Sequence, residues 1–248
     1  MRKVLIIVDS DGREMTDSPI VRNMVSAIEM AIAEDTTQPT SVQVVAVNDF
    51  TFVDEGLGLK SWEPQTSSQL QEIIYCPLTL CLPENLGLPF EGIIQACRDV
   101  LGLRQQVRQH IQVAVGDGYY WLPVVLTAKG PLYGEVITLA EEFNKKKLPD
   151  NLLLCDLTYS QPLHLSDALR QKLYKMAHNL LQFLSVPPAT YLVQFGLEKS
   201  EICFDRLWPF PTAPALASIG VQKPDLLTCH WYCLTAKPIL DLTIIPVA

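Results

Sequence analysis

Two aspartates follow the first apolar run of the chain, and they are the earliest residues that could do chemistry. In KVLIIVDSDG the apolar run stops at Asp9, and Asp11 follows two residues later. A third acid, Asp117, lies in the later stretch VAVGDG, again directly after apolar residues. Carboxylate oxygens are ligands that Mg²⁺ prefers. If the ends of parallel strands bring the three together, they would hold this metal, with Asp9 and Asp11 as candidate catalytic residues.

The first pair resembles the opening motif of the haloacid-dehalogenase-like phosphatases, an apolar strand followed by Asp-x-Asp-Gly-Thr. This resemblance implies that Asp9 is a nucleophile and Asp11 a general acid. VAVGDG is similar to the later acidic motif of that family, which would make Asp117 a metal ligand. Arg13 stands where the family has threonine, and no second aspartate follows Asp117. The alternative, which we favour, is that Asp9 and Gly12 end a strand and shape a turn.

A second candidate region begins at Thr190. The stretches TYLVQFGL and EICFDRLW are typical of strands, the turn at 197–201 predicts an antiparallel hairpin, and a Pro-rich stretch follows. This order resembles the end of the ATP-grasp ligases, in which a hairpin delivers an acidic metal ligand before a Pro-containing loop. That family has Glu-x-Asn before the proline, whereas Asp205 and Arg206 precede Pro209 here. The resemblance implies a degenerate relative; the alternative, which we favour, is a hairpin with an ordered surface loop.

Three residues with zinc-binding side chains lie within five positions, Cys229, His230 and Cys233. A structural zinc site needs four ligands, and Cys76 and Cys81 are too widely spaced for a standard knuckle, although the fold could bring them to the later pair. Strand alternation gives a simpler account, with the two later cysteines on one face and His230 on the other. We favour this account, and metal binding by the three stays open.

Large aromatic side chains gather in stretches that the sequence predicts as loops. Tyr120 and Trp121 follow the GDG turn, and Trp208 and Phe210 lie in or beside the Pro-rich stretch. Aromatic residues on loops commonly bind partners, because they bury a large area at a small entropic cost. The alternative is that they cover the ends of the sheet. We take these four as candidates for binding a protein partner or a small molecule.

The elements that would position these residues follow from the hydrophobic periodicity. Residues 3–8 and 42–47 are typical of buried strands, and the helix between them, 18–34, has a Ser-Pro start and an apolar stripe. This order predicts a βαβ unit with parallel strands. A long amphipathic helix is predicted over 166–184, and a further helix over 134–147.

These patterns predict an α/β fold. We expect a mostly parallel central sheet with flanking helices, plus a C-terminal antiparallel hairpin region. The chain would form a single α/β domain over residues 1–248. A soft boundary near 149–166 would separate an N-terminal α/β part from a C-terminal helix-hairpin part.

Composition limits the classes of function. Hydrophobic residues make up 48% of the 248, which is ample material for a core, and the net charge of −8 disfavours a nucleic-acid-binding face. No targeting or membrane-spanning segment is visible, and the seven cysteines are scattered through apolar runs. We therefore expect a cytoplasmic protein with reduced cysteines that neither binds nucleic acid nor inserts into a membrane.

Each catalytic motif in the chain is incomplete. The expected function is therefore that of a soluble noncatalytic binding or assembly protein, which holds an unknown partner with aromatic and Pro-rich loops. The alternative is a metal-dependent enzyme acting on phosphate groups, either phosphatase-like at the DSDG strand end or a degenerate ATP-grasp-like protein. No cofactor is firmly implied, and Mg²⁺ is the metal that the alternative would need.

Overall fold

A computed structural model describes most of the chain, namely residues 2–9, 18–47, 72–82, 88, 90–140, 157–199 and 201–246. The chain divides into two compact units, residues 1–91 and residues 92–248. The predicted soft boundary near 149–166 lies partly outside the described residues and stays a prediction.

A three-stranded parallel sheet forms the first unit. Strand β1 (Arg2–Val8) lies between β2 (Thr40–Ala46) and β3 (Glu72–Pro77). The side chains of β1 are buried on both faces of the sheet, which is why its sequence is an unbroken run of branched residues. Helix α1 (Pro19–Ala33) starts with proline at its first position, as expected. The predicted βαβ unit is confirmed.

The second unit contains four α-helices among its described residues. They are α2 (Glu91–Arg98), α3 (Val100–Gln106), α4 (Asp167–Phe183) and α5 (Leu226–Leu234). Helix α3 continues directly into a π-helical segment, Val107–Ile111, and a short 3₁₀ helix spans Ala213–Ser218. The predicted helix over 166–184 is confirmed by α4. Its buried stripe is Leu173, Met176, Ala177, Leu180 and Leu181.

A seven-stranded mixed sheet forms the centre of the second unit. Its strands are β4 (Ala114–Val115), β5 (Tyr120–Thr127), β6 (Gly130–Tyr133), β7 (Val136–Leu139), β8 (Tyr159–Leu163), β9 (Ala189–Glu198) and β10 (Glu201–Trp208). They run in the order β4-β10-β9-β5-β7-β8, and β6 pairs with β5. Among the strands that the structure describes in this sheet, only β4 and β10 pair in parallel. Two short strands, β11 (Gln222–Lys223) and β12 (Thr243–Ile244), pair separately.

The prediction of a mostly parallel central sheet is wrong, because the sheet of the second unit is mixed and largely antiparallel. Strand β9 is buried along most of its length, so it lacks the alternation of apolar and polar residues that is typical of an antiparallel strand with one face in solvent. The helix predicted over 134–147 is also wrong in its described part, where β7 is a fully buried strand. Short apolar runs do not distinguish the two periodicities. The predicted hairpin is confirmed by β9 and β10.

The helices that the structure describes include none long and apolar enough to cross a membrane.

Candidate functional site

A β-bulge in β10 places Asp205 at the centre of the candidate site. Phe204 pairs with Phe195 of β9 and Arg206 pairs with Gln194, so Asp205 is the extra residue between them. Bulges of this kind redirect a side chain and are common beside active sites. The Asp205 side chain is 3% exposed. A carboxylate this deeply buried needs partners that compensate its charge.

Arg104 of α3 supplies the compensating positive charge. Its Nη2 donates to Asp205 Oδ1 at 2.5 Å and to Asp117 Oδ1 at 2.7 Å, and its Nε donates to the main-chain carbonyl of Asp205 at 2.9 Å. Burial alone would lower the pKa of Arg104, but the hydrogen bonds to Asp117 and Asp205 outweigh it and raise the pKa above its ordinary value. The guanidinium is therefore held in its charged form.

The second oxygen of Asp205 is occupied by neutral donors. Asp205 Oδ2 accepts from the main-chain N–H of Gly118 at 2.9 Å and from Gln194 Nε2 at 3.0 Å. Gln194 Nε2 also donates to the Gly118 carbonyl at 2.7 Å, and Gln194 Oε1 accepts from Trp208 Nε1 at 2.9 Å. The Gln194 amide thus uses both its N–H groups and its oxygen, which defines its orientation.

Arg206 completes the arrangement from the next position of β10. Its Nε donates to Asp205 Oδ1 at 3.3 Å, and its guanidinium lies 5.7 Å from the centre of the Trp208 ring. We call this group of residues the Asp205 cluster; its members are Arg104, Asp117, Gly118, Gln194, Asp205, Arg206 and Trp208.

Close backbone approach explains the glycines beside the cluster. A Cβ at Gly118 would lie 2.0 Å from the main-chain carbonyl of Phe195, and a Cβ at Gly196 would lie 2.5 Å from the Asp117 carbonyl oxygen. The Gly118 N–H reaches Asp205 only because the loop rests directly on the backbone of β9. Two glycines are therefore needed for this contact.

The predicted metal residues are only partly described. Asp9, in the first unit, accepts a hydrogen bond from Thr79 Oγ1 at 2.7 Å. Asp11 lies outside the described residues, and Asp117 belongs to the second unit. Among the residues that the structure describes, no group of three or more His, Cys, Asp or Glu side chains could hold a metal. The proposed set of Asp9, Asp11 and Asp117 stays a prediction.

The stretch with Cys229, His230 and Cys233 is helix α5, so the strand alternation inferred for it is wrong. His230 is 1% exposed, its Nδ1 accepts from the Thr190 N–H at 3.2 Å, and burial lowers its pKa to about 3. Burial also raises the pKa of the Cys229 thiol, and that of Cys233 to about 12. Buried neutral thiols are inert. These residues are parts of the core, and no described group around them could hold a metal.

The four aromatic candidates lie on or beside strands. Trp121 is 1% exposed and Phe210 is 2% exposed, so neither is available to a partner. Tyr120 is half-buried against Phe195, with ring centres 5.5 Å apart, and Trp208 is half-buried in the Asp205 cluster. The expectation that these are exposed loop anchors is corrected for Trp121 and Phe210, because the sheet of the second unit buries them.

Comparison with known proteins gives matches in structure but not in sequence. No protein-family model matches the chain, and no curated protein is similar to it in sequence. Glycinamide-RNase-transformylase T from Mycobacterium tuberculosis superimposes with a TM-score of 0.65 at 12% identity, covering 98% of this chain and 82% of that one. A putative ATP-grasp superfamily protein from Archaeoglobus fulgidus gives a TM-score of 0.60 at 8% identity, with 98% and 90% covered. The fold is that of ATP-grasp proteins.

The ATP-grasp fold overturns the expected noncatalytic binding or assembly function. Proteins that share it include N5-carboxyaminoimidazole ribonucleotide synthetase from Thermotoga maritima, with a TM-score of 0.63 at 10% identity, covering 97% of this chain and 78% of that one. The L-amino acid ligase from Bacillus licheniformis gives a TM-score of 0.60 at 10% identity, with 94% and 74% covered. Both of these structures are named as enzymes, a synthetase and a ligase.

The resemblance of the hairpin to the end of the ATP-grasp ligases implies an acidic metal ligand on β10. Asp205 does not fit that role, because both of its carboxylate oxygens accept hydrogen bonds from protein groups. The sequence pointed to Asp205 but gave no indication of Gln194 or Arg104. Arg104 lies 101 positions away from Asp205, and only the fold joins the two.

Proposed function

We propose that this chain is an ATP-dependent ligase of the ATP-grasp type, which binds an adenine nucleotide together with a small-molecule substrate. The observation that carries the proposal is the shared fold. Two of the structures with this fold contain ADP, and they superimpose with TM-scores of 0.66 and 0.61 at 9% and 10% identity, covering 98% and 96% of this chain. One of them also contains 5-aminoimadazole ribonucleotide, a small molecule.

The Asp205 cluster is the place in the second unit where we locate the reactive end of the nucleotide. It lies on the β9–β10 hairpin, directly before the Pro-rich stretch, as in the order of elements that resembles the ligases. Its polar groups are fixed by hydrogen bonds before any ligand arrives. Preorganised dipoles of this kind stabilise developing charge without a cost of reorganisation.

Nucleotide binding gives the first test of this function. Thermal melting with ATP, ADP or GTP should show stabilisation by the adenine nucleotides, by about 2.7 kcal/mol when the ligand stands at one hundred times its Kd. The second step is the release of inorganic phosphate from ATP in the presence of a panel of small carboxylic acids and amines. A ligase should release phosphate only when its own acid and amine are present. The absence of any shift with millimolar ATP or ADP would contradict the proposal.

A small molecule, not a protein, is therefore the partner that we propose. The cytoplasmic location expected from the sequence belongs to the same proposal. Labelling of intact and fractionated cells with an antibody against the chain would check it.

A further inference from the structure

We propose that Arg104 takes the place of a divalent cation at Asp205, so that nucleotide binding at this site does not depend on a metal held by that carboxylate. The inference about the nucleotide rests on the proposed function. The inference about Asp205 itself stands on the contacts within the second unit.

Both oxygens of the Asp205 carboxylate are occupied by hydrogen-bond donors. Asp205 Oδ1 accepts from Arg104 and from Arg206, and Asp205 Oδ2 accepts from Gly118 and from Gln194. Four donors fill the directions in which the two oxygens would bind a metal. A metal could enter only by breaking several of these hydrogen bonds.

Positive charge already surrounds the Asp205 carboxylate. Asp205 is 3% exposed, and the nearest positive group is the guanidinium of Arg104, itself 17% exposed. Arg206 adds a second guanidinium within 3.3 Å of the same oxygen, and its side chain is 34% exposed. A divalent cation at Asp205 would therefore lie beside two fixed positive charges, and the Asp117 carboxylate is already paired with the guanidinium of Arg104.

Gln194 also faces Asp205, with an amide nitrogen that cannot bind a metal as a carboxylate oxygen does. A metal site built from oxygen ligands requires several carboxylate or carbonyl oxygens directed at one point. Gln194 instead directs its N–H at Asp205 Oδ2, and its oxygen accepts from Trp208. The amide is therefore oriented to stabilise an anion at Asp205 and not to bind a cation beside it.

In these contacts, the side chains of Arg104 and Arg206 supply the positive charge beside Asp205. A guanidinium carries its charge at every physiological pH and offers fixed donors to carboxylate or phosphate oxygens. We therefore expect metal-free ATP to be the form that the Asp205 cluster accepts. The Arg206 side chain, half-buried beside Trp208, is the cation nearest to solvent in this cluster.

Paramagnetic broadening by Mn²⁺ tests the claim on the unaltered protein. Trp208 donates through its indole N–H within the cluster, so a manganese ion on Asp205 would erase the NMR signal of that N–H. The signal is identified by its loss in Trp208→Phe. Addition of millimolar Mn²⁺ should leave the Trp208 signal as strong, relative to that of Trp231, as before. Selective loss of the Trp208 signal would overturn the proposal.

Removal of the guanidinium gives the converse test. In Arg104→Gln, the oxygens of Asp117 and Asp205 that converge on Arg104 Nη2 lose their counter-charge, so Mn²⁺ can bind between them and the same titration should broaden the Trp208 signal. The matched control is Arg108→Gln, which removes an exposed arginine four positions later and should behave as the unaltered protein. If the Arg104→Gln protein is folded and Mn²⁺ still does not broaden its Trp208 signal, Arg104 does not take the place of a cation. If that variant fails to fold, the titration of the unaltered protein still decides.

Titration calorimetry with ATP separates this inference from the proposed function. With ATP in excess EDTA and with ATP in excess Mg²⁺, the two Kd values should agree within about threefold, which corresponds to about 0.7 kcal/mol. A tenfold or greater loss of affinity in EDTA would overturn the metal independence. No binding under either condition would contradict the proposed function, and the Mn²⁺ titration would then decide the role of Arg104 alone.

Discussion

At the scale of single residues, the choice of an amide at Gln194 decides the character of the site. An ionised glutamate there could only accept hydrogen bonds, and it would repel Asp205 across the 3.0 Å that now joins Gln194 Nε2 to Asp205 Oδ2. The amide instead donates twice, to Asp205 and to Gly118, and accepts once, from Trp208. The amide nitrogen, in place of a second carboxylate oxygen, therefore stabilises the charged Asp205 side chain on the hairpin.

His230 shows how burial fixes the protonation of a single side chain. Its Nδ1 accepts the N–H of Thr190, so the proton of the neutral ring lies on Nε2, and burial lowers the pKa to about 3. In the unfolded chain the pKa of a histidine is about 6.5. As the pH falls between these two values, the unfolded chain binds a proton that the folded protein does not. Stability is therefore complete above about pH 6.5 and is lost as the pH falls toward 3.

We predict that this residue accounts for a loss of about 2 kcal/mol in the free energy of unfolding between pH 7 and pH 5. His230→Gln should remove that part of the pH dependence, even if it lowers stability at pH 7. The measurement is urea denaturation at a series of pH values. The control is His178→Gln, at an exposed position of α4, which should keep the pH profile of the unaltered protein. An identical profile in His230→Gln would refute the assignment.

At the scale of elements, the hairpin and the loop before β5 build the site together. The bulge at Asp205 turns the carboxylate inward, and the loop ending at Gly118 lies against β9 closely enough to donate its N–H to that carboxylate. Helix α3 then brings Arg104 to the same point, just before it becomes π-helical at Val107. Irregular elements of both kinds, bulges and π-helices, are frequent at functional sites.

We predict that alanine substitution changes stability differently at two glycines, one inside the contact between the loop and β9 and one outside it. Gly118→Ala should lower the free energy of unfolding by 2 kcal/mol or more, on the order of a severe core defect, because the added Cβ would overlap the backbone of Phe195. Gly92→Ala in α2 should leave stability unchanged or raise it by about 0.5 kcal/mol, because its Cβ meets no atom within 4 Å. Urea denaturation compares the two. Equal effects would contradict the close approach.

At the scale of the whole molecule, the chain consists of two units with separate sheets. The first unit has its own parallel sheet around β1, and the second has its own mixed sheet with large buried aromatic residues. These are Trp121, Trp231, Tyr191, Phe195 and Phe204. A core of this kind is what allows a unit to fold by itself.

We predict that a fragment of residues 88–248 folds without the first unit. It should show a cooperative thermal transition and a far-ultraviolet circular dichroism spectrum of mixed helix and sheet, because the strands and helices described for the second unit lie within those residues. The full-length chain, melted under the same conditions, is the reference. A fragment that lacks a cooperative transition would show that the second unit needs the first.

The elements that depend on neighbouring residues could be predicted from the sequence. The start of α1 at Ser18 and Pro19, the apolar stripe of α4 and the β9–β10 hairpin all follow from local periodicity, capping preference and turn residues. The position of Asp205 could also be predicted, since an acid before a Pro-containing loop is a local pattern. The relative direction of neighbouring strands could not be predicted, because a strand buried on both faces has the same apolar sequence whether its neighbours are parallel or antiparallel.

The sequence by itself determined the positions of β1, α1, β2, α4 and the β9–β10 hairpin, and which acid precedes the Pro-rich stretch. Only the tertiary structure decided what that acid does. The partners of Asp205 come from 87 and 101 positions away, at Gly118 and Arg104, and no local pattern connects them. A buried carboxylate takes its properties from the donors that surround it, and here those donors are assembled by the packing of α3, the Gly118 loop and the hairpin.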